Sequence, residues 1–299
     1  MALLERPTPL DLSNLRVEVH GRPLNVAALA VLEQQALLDS SRELELDAIR
    51  ARIEQRLHLA PRLRQRLYWP GFGFGGPVWV DDASFEISRH VRTRPAPAPG
   101  GEESLLARCV ELNDGPFDQA HPLLLASRGE LRPELVLKVP VAASVRAPAS
   151  ASQAGNLVGV LLAPLPVGEE DPIRRLEQIA RATAERKRVP PYQPASRFLL
   201  SWMIRGMNRQ RRVNLLMSNL PGPPEPMYFA GAKILEVFQI GVIQGNVPLS
   251  VGVLSYAGQL NFDIVGDPNL VPDLPAFANG MADDLDRLGA RPVGEGIAA

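Results

Sequence analysis

VGVLSYAGQLNFDI occupies residues 251–264 of this chain. Two runs of alternating side chains flank Ala257-Gly258-Gln259, a short segment that contains glycine. Two alternating runs joined by such a turn predict an antiparallel β-hairpin. This is the densest strand pattern in the sequence, and we therefore expect a sheet to be organised around it.

Two segments that precede the hairpin extend the predicted sheet. Residues 233–243 predict another strand beside the hairpin. SNLPGP, residues 218–223, predicts a rigid turn that leaves a strand. The turn is rigid because Pro221 and Pro223 fix φ, and Gly222 is free to adopt a positive φ.

Amphipathic helices are predicted on both sides of the chain's middle. Residues 40–57 place apolar side chains three and four apart, and Ser40 with Glu43 has the spacing of a capping box. Asp171 is the predicted N-cap of a helix that opens on a proline, and Asp273 is the predicted N-cap of the last helix. These helices would cover the apolar faces of the sheets.

Shorter signals complete the predicted elements. Residues 27–32 predict a buried strand, and Trp79 lies in a strand that ends at Asp81 and Asp82. His90 falls in a strand-like run, and residues 105–112 predict a helix.

Composition excludes several classes of function. The 299 residues are 45% hydrophobic with a net charge of −1, which supports a core and gives no electrostatic reason for binding nucleic acid. Cys109 is the only cysteine, so no intrachain disulfide can form. The longest apolar run, residues 157–167, contains two prolines and is too short to span a bilayer. Since no basic leader precedes an apolar run, we expect a cytoplasmic protein, and peripheral association with the inner face of the membrane stays open.

Three motifs in order carry a family resemblance. SNLPGP, then MYFAGAKILEVFQIG at 227–241, then VGVLSYAGQLNFDIVGDPNLVPD at 251–273 resemble the C-terminal part of the bacterial wax ester synthase/diacylglycerol O-acyltransferase family. The N-terminal stretches LAPRLRQRL at 59–67 and PVWVDDASFEISRHV at 77–91 resemble its front part. The resemblance implies a mixed α/β (α+β) fold, with the two-domain sheet-and-helix architecture of chloramphenicol acetyltransferase.

The family's catalytic motif, HHxxxDG, is absent from this sequence. The histidines are His20, His58, His90 and His121, and none is followed four residues later by aspartate. In the family, a histidine of that motif removes the proton of the acceptor hydroxyl, which needs an imidazole of near-neutral pKa. We therefore assign no catalytic residue and no metal ligand, and we expect activity to be impaired.

The family's middle part is missing from the predicted domain organisation. Residues 1–139 resemble the front of the family and form an N-terminal acyltransferase-like half. Residues 140–290 resemble its back, through VPVAASVR, GN and LPVGE, and residues 291–299 form a tail. Because proline has no N–H to donate, the strand before the junction is expected to end or bend at Pro140.

The resemblance also implies the substrates. It implies an acyl-CoA-dependent O-acyltransferase of triacylglycerol biosynthesis, with diacylglycerol or a long-chain alcohol as acceptor. Acyl-CoA is a co-substrate there, and no further cofactor is expected. Asn219, Pro221 and Gly222 are the candidate substrate-binding residues. The alternative for Asn219 is a turn asparagine that binds its own backbone.

Other hypotheses stay open at this level. The chain could be a non-catalytic lipid-binding or interaction remnant of the family. It could pair with itself or with a full-length paralogue through a sheet edge that the missing strands leave exposed. A helix beginning near Phe198 is either a core helix or a surface for the membrane or a lipid droplet, with four arginines nearby: Arg205, Arg209, Arg211 and Arg212.

Overall fold

The computed structural model describes residues 5–7, 27–71, 75–95, 97–113, 137–144, 158–187, 213, 215–243 and 246–290. The predicted helix near Phe198 lies outside these residues. These residues contain ten β-strands and five α-helices. The strands are β1 (Ala27–Leu32), β2 (Gln65–Tyr68), β3 (Val78–Asp81), β4 (Leu137–Ser144), β5 (Val158–Leu165), β6 (Leu216–Pro221), β7 (Tyr228–Phe229), β8 (Ala232–Ile240), β9 (Leu249–Tyr256) and β10 (Gln259–Gly266). The α-helices are α1 (Leu46–Glu54), α2 (Ile87–His90), α3 (Glu102–Asn113), α4 (Pro172–Lys187) and α5 (Leu274–Arg287).

A five-stranded sheet in the order β10-β9-β6-β4-β5 forms the middle layer. The predicted hairpin is confirmed: β9 and β10 pair antiparallel in unbroken register from Gln259 opposite Tyr256 to Gly266 opposite Leu249. Ala257 and Gly258 form the turn, both with positive φ, which is the backbone of a two-residue turn matched to strand twist. β6 then pairs parallel with β9 over its whole length.

Helices α4 and α5 cover one face of this sheet. Phe277 and Met281 of α5 pack on a buried cluster of Val139, Leu215 and Val251. Asp171 and Asp273 cap the two helices as predicted, by accepting hydrogen bonds from the N–H groups of residues 173 and 276 at 2.9 and 3.3 Å. An ion pair of 2.6 Å between Arg175 and Asp284 joins the helices to each other.

A three-stranded sheet in the order β1-β8-β7 packs on the opposite face. The prediction that residues 233–243 run beside the hairpin is wrong in one respect. β8 crosses the faces of β9 and β10, but it is hydrogen-bonded into its own sheet with β1 and β7. β1, predicted to be buried, alternates between half-buried and exposed residues, because it forms the edge of that sheet.

The N-terminal helix is shorter than its periodicity predicts. α1 begins at Leu46, not near residue 40, and has no side-chain cap. The preceding residues instead form a tight turn in which Asp39 accepts hydrogen bonds from the N–H groups of Ser41 and Glu43. The predicted capping box is therefore wrong, since the Asp39 carboxylate provides a competing local acceptor.

Two further predictions need correction. His90 ends the short helix α2 instead of lying in a strand. β4 runs through Pro140 without a break, with Pro140 opposite Leu162 of β5. Its other neighbour, β6, pairs with it only at Val141 opposite Met217. The missing N–H of Pro140 therefore removes little from the hydrogen bonding between β4 and β6. One strand thus crosses the junction at 139/140, and the division into domains at that point stays a prediction.

Candidate functional site at the end of strand β6

The candidate substrate-binding residues lie together where β6 ends. Asn219 and Pro221 are exposed residues of the strand, and Gly222 follows directly. Asn219 stands opposite Val253 of β9 in the parallel register, so it shares the face on which the helices pack. Among the hydrogen bonds of the described residues, no side-chain bond of Asn219 to its own backbone occurs.

Gly222 is fixed by its contact with β9. Its N–H donates to Ser255 Oγ at 3.2 Å. A Cβ at this position would lie 2.2 Å from the carbonyl oxygen of Ser255, which belongs to the backbone and cannot move aside. Glycine is therefore required here by close approach of two backbones, independently of its φ.

Tyr256 anchors the proline-rich loop that follows. Its side chain is 1% exposed. The N–H of Met227 donates to the Tyr256 hydroxyl at 2.8 Å, and that hydroxyl donates to the carbonyl of Ile234 in β8 at 2.9 Å. One buried phenol thus joins the loop after β6 to both sheets.

Gln239 of β8 makes the next contact between the sheets. Its Nε2 donates to the carbonyl of Ser218 at 2.9 Å and to that of Val253 at 3.4 Å. Ser218 Oγ donates in return to Gln239 Oε1 at 3.2 Å. The residue before Asn219 is therefore held through both its backbone and its side chain.

Asp263 of β10 is a half-buried carboxyl in the same layer. The N–H of Gly241 donates to its Oδ2 at 2.7 Å, whereas its Oδ1 is buried and has no hydrogen-bond partner among the described residues. Burial raises the pKa of Asp263 to about 6, and the hydrogen bond from Gly241 offsets only part of that effect. An ionised carboxylate at this point would be poorly solvated.

The two histidines within the described residues lie far along the chain from these groups. His58 is exposed, and its Nδ1 lies 2.8 Å from the carbonyl oxygen of Gln55. His90 stacks on Phe85 with ring centroids 4.8 Å apart. His20 and His121 lie outside the described residues. Across the described ranges, no group of three or more histidine, cysteine, aspartate or glutamate side chains could hold a metal ion.

Two family models match this chain on either side of its middle. The wax ester synthase/diacylglycerol acyltransferase catalytic domain matches residues 8–124, and the C-terminal domain of the same family matches residues 154–289. This chain belongs to the wax ester synthase/diacylglycerol acyltransferase family. The recognition made from the motifs at 218–273 is confirmed.

Curated relatives and a solved structure agree with this assignment. "Probable diacyglycerol O-acyltransferase tgs1" of Mycobacterium tuberculosis H37Rv is 31% identical over 195 residues, which are 60% of this chain and 42% of the relative. "O-acyltransferase WSD" of Acinetobacter baylyi is 26% identical over 148 residues, 45% of this chain and 32% of the relative. The chain thus spans less than half the length of these relatives.

The fold is shown by a wax ester synthase/diacylglycerol acyltransferase from Marinobacter aquaeolei VT8. The two structures superpose with a TM-score of 0.62 at 16% identity, over 96% of this chain and 100% of that one. The mixed α/β fold of chloramphenicol-acetyltransferase type is therefore confirmed. Within the described part of the chain, no helix is both long and apolar enough to cross a membrane.

Sequence reasoning missed the polar contacts that support the end of β6. Gln239 and Asp263 lie in runs that read as ordinary alternating strands, and alternation does not reveal that a second sheet covers the polar face. One signal was available. Gly252 lies within β9 opposite Asp263, and a glycine inside a strand often marks a place where another group approaches the backbone closely.

Proposed function

We propose that this chain serves the acyl-CoA chemistry of its family as an O-acyltransferase of the diacylglycerol acyltransferase and wax ester synthase type, with acyl transfer impaired. The supporting observation is that both family domains match while the sequence lacks HHxxxDG. Its place would be triacylglycerol synthesis, with diacylglycerol or a long-chain alcohol as acceptor. The chemistry requires no cofactor beyond the acyl-CoA co-substrate.

The reaction explains why the missing motif matters. The acceptor hydroxyl loses its proton to a base while its oxygen attacks the thioester carbonyl. The C–S bond breaks, and coenzyme A leaves as a thiolate that takes up a proton. A positioned general base typically contributes a factor of about 10²–10⁴. His58 and His90, the described histidines, are engaged with Gln55 and Phe85 on the N-terminal surface.

In this proposal, the end of β6 binds substrate without performing the proton transfer. The amide of Asn219 is exposed and is able both to donate and to accept hydrogen bonds. Pro221 and Gly222 hold that segment in one conformation, through a fixed φ and the contact with Ser255. A rigid, exposed polar segment beside exposed Leu220 suits a ligand that has polar and apolar parts.

The test is turnover by the full chain. Purified protein is incubated with radiolabelled acyl-CoA and either diacylglycerol or a long-chain alcohol, and neutral lipid products are separated. We expect rates at least about 10²-fold below those of a family member that carries HHxxxDG. Turnover equal to that member, retained when all four histidines are replaced by alanine, would overturn the proposed impairment.

A second candidate is a non-catalytic lipid-binding or interaction protein of the same family. It is favoured by the intact supports of the β6 segment, since Tyr256 and Gln239 hold it although the catalytic motif is absent. Fluorescent acyl-CoA titration discriminates the two. Micromolar binding with no turnover supports the binding protein, and loss of binding in Asn219→Ala, with Asn269→Ala as control, would place the ligand at β6.

Contact with a membrane surface or lipid droplet is part of the proposal. It is supported by exposed Leu59, Leu63 and Trp69, which are 72%, 66% and 62% exposed. Apolar side chains at a surface are what interfacial binding buries. Co-sedimentation with phosphatidylcholine vesicles should fall when all three are changed to serine. Unchanged sedimentation would remove this part of the proposal.

Pairing with a second copy or a paralogue is the remaining part. It is supported by β5, which has only β4 as a partner among the described strands and so forms an edge. Edge strands carry unpaired backbone groups that another chain can complete. Light scattering should show a dimer or larger species at micromolar concentration, and a strictly monomeric protein would exclude self-pairing.

A further inference from the structure

Three neighbouring strands place one residue each in a line under β8. Ser218 of β6 stands opposite Gly252 of β9, which stands opposite Asp263 of β10. Residues opposite one another in register share a face of the sheet. The glycine in the middle therefore leaves a space, and the Asp263 carboxyl fills it.

The fit over Gly252 is close from two sides. A Cβ on Gly252 would lie 1.7 Å from Asp263 Oδ1 and 2.5 Å from Gln239 Nε2. Gln239 comes from β8, so the contact lies between the two sheets. The carboxyl also holds the residue after β8, because Gly241 N–H donates to Oδ2 at 2.7 Å. Ser250 Oγ would lie 2.8 Å from a Cβ on Gly241, so the segment after β8 and strand β9 also approach closely here.

Among the described residues, no charged group balances Asp263 in this position. From β9 it faces Ser250 and Gly252, from β8 it faces Gln239, and just after β8 it faces Gly241, all of them uncharged. Lys233 and Glu236 are the charged residues of β8, and neither contributes to the pKa shift of Asp263. Helix α5 packs on the other face of the sheet. Ionisation would therefore place an uncompensated charge between two sheets.

We propose that Asp263 is a proton-dependent lock between the two sheets. With the carboxyl neutral, β8 packs closely over β9 and β10, and Gln239 holds Ser218 immediately before Asn219. With the carboxyl ionised, the buried charge loosens that packing and the hold on the end of β6. This lock is a response of the fold to pH and does not depend on whether the chain transfers acyl groups.

The direction of the effect follows from the raised pKa. An aspartate in the unfolded chain titrates near 3.8, whereas Asp263 in the folded chain titrates at about 6. The folded state thus binds the proton more tightly than the unfolded state does. The contribution of Asp263 to stability is therefore complete below about pH 3.8. That stability is lost as the pH rises through about 6.

The experiment compares urea denaturation midpoints of the full chain between pH 4.5 and 7.5. Asp263→Asn keeps the shape of the neutral acid without its titration, and Asp283→Asn, an exposed residue of α5, is the matched control. We expect the midpoint of the wild type to fall relative to Asp263→Asn across this range, with Asp283→Asn following the wild type. The comparison cancels every contribution that the three proteins share.

A direct titration keeps the inference testable if the variant does not fold. The ¹³C carboxyl shift of Asp263 in the wild type should titrate with a midpoint near 6. Protection of the Gly241 amide against hydrogen exchange, corrected for intrinsic rate, should fall above that pH. A carboxyl midpoint near 4, or a midpoint difference between wild type and Asp263→Asn that is constant with pH, would overturn the proposal.

Discussion

The two faces of the five-stranded sheet are held by different physics. On the helix side, Val251 and Leu215 pack with Phe277 and Met281, so the contact is apolar. On the β8 side, the contact rests on hydrogen bonds of Gln239, Tyr256 and a half-buried carboxyl. Burial of apolar area is non-directional, whereas buried polar groups must meet defined partners. The helix face therefore supplies stability, and the β8 face fixes the geometry of the end of β6.

The largest effect is expected on the helix face. Leu215→Ala removes a side chain that is 7% exposed in the apolar cluster, and should lower the free energy of unfolding by about 3 kcal/mol. Leu260→Ala is the control, since Leu260 is 59% exposed. Urea denaturation measures both. Equal losses for the two variants would mean that the cluster is not the main apolar core of this sheet.

A backbone contact comes next. Gly222→Ala places a methyl group 2.2 Å from the Ser255 carbonyl oxygen, and the resulting overpacking should cost about 2 kcal/mol. Gly280→Ala in α5 is the control, because a Cβ there meets open space. Gly258→Ala would not serve as a control, because the positive φ of Gly258 would add backbone strain. If acyl-CoA binding were lost while the denaturation midpoint stayed unchanged, Gly222 would act on the ligand and not on the fold.

On the β8 face, removal of one polar partner should have a smaller effect. Gln239→Leu leaves the buried carbonyls of Ser218 and Val253 without this donor, for a loss of about 1.5 kcal/mol. Gln178→Leu, on the exposed surface of α4, is the control. A gain in stability for Gln239→Leu would show that apolar packing can replace the hydrogen bonds on the β8 face. The two faces of the sheet would then not differ in the way proposed.

The smallest effect concerns two similar turns. Ala257 and Ala230 both have positive φ before a glycine, where asparagine is favoured in two-residue hairpins. Ala257→Asn should stabilise the protein by about 0.5 kcal/mol, because asparagine tolerates this backbone better than alanine. Ala230→Asn should destabilise it, since Ala230 is 8% exposed and its carbonyl accepts a hydrogen bond from Arg52. Thermal denaturation of both variants checks the opposite signs.

Elements with strong local signals were predictable from their residues. The hairpin 249–266 follows from alternation around Ala257-Gly258, and the starts of α4 and α5 follow from Asp171 and Asp273. The candidate residues Asn219, Pro221 and Gly222 were also found from sequence, since a short motif keeps them adjacent. Their role in substrate binding stays a prediction.

The sequence predictions that were wrong concern places where neighbouring groups compete for the same backbone hydrogen bonds or strand pairing. The spacing of Ser40 and Glu43 favours a cap, but Asp39 captures the same backbone donors, and only the folded chain shows which wins. Pro140 favours a strand end, but the pairing of β4 with β5 continues through it, because β6 pairs with β4 at only one position there.

The family, the hairpin, the capped helices and the absence of HHxxxDG are all readable from the amino-acid sequence, because each depends on residues close together along the chain. The packing of the two sheets places β8 across the hairpin and brings the Asp263 carboxyl over Gly252, and no charge among the described residues balances that carboxyl. The pKa of a side chain depends on what surrounds it in space, and Gln239, Gly252 and Asp263 are brought together only when two sheets pack.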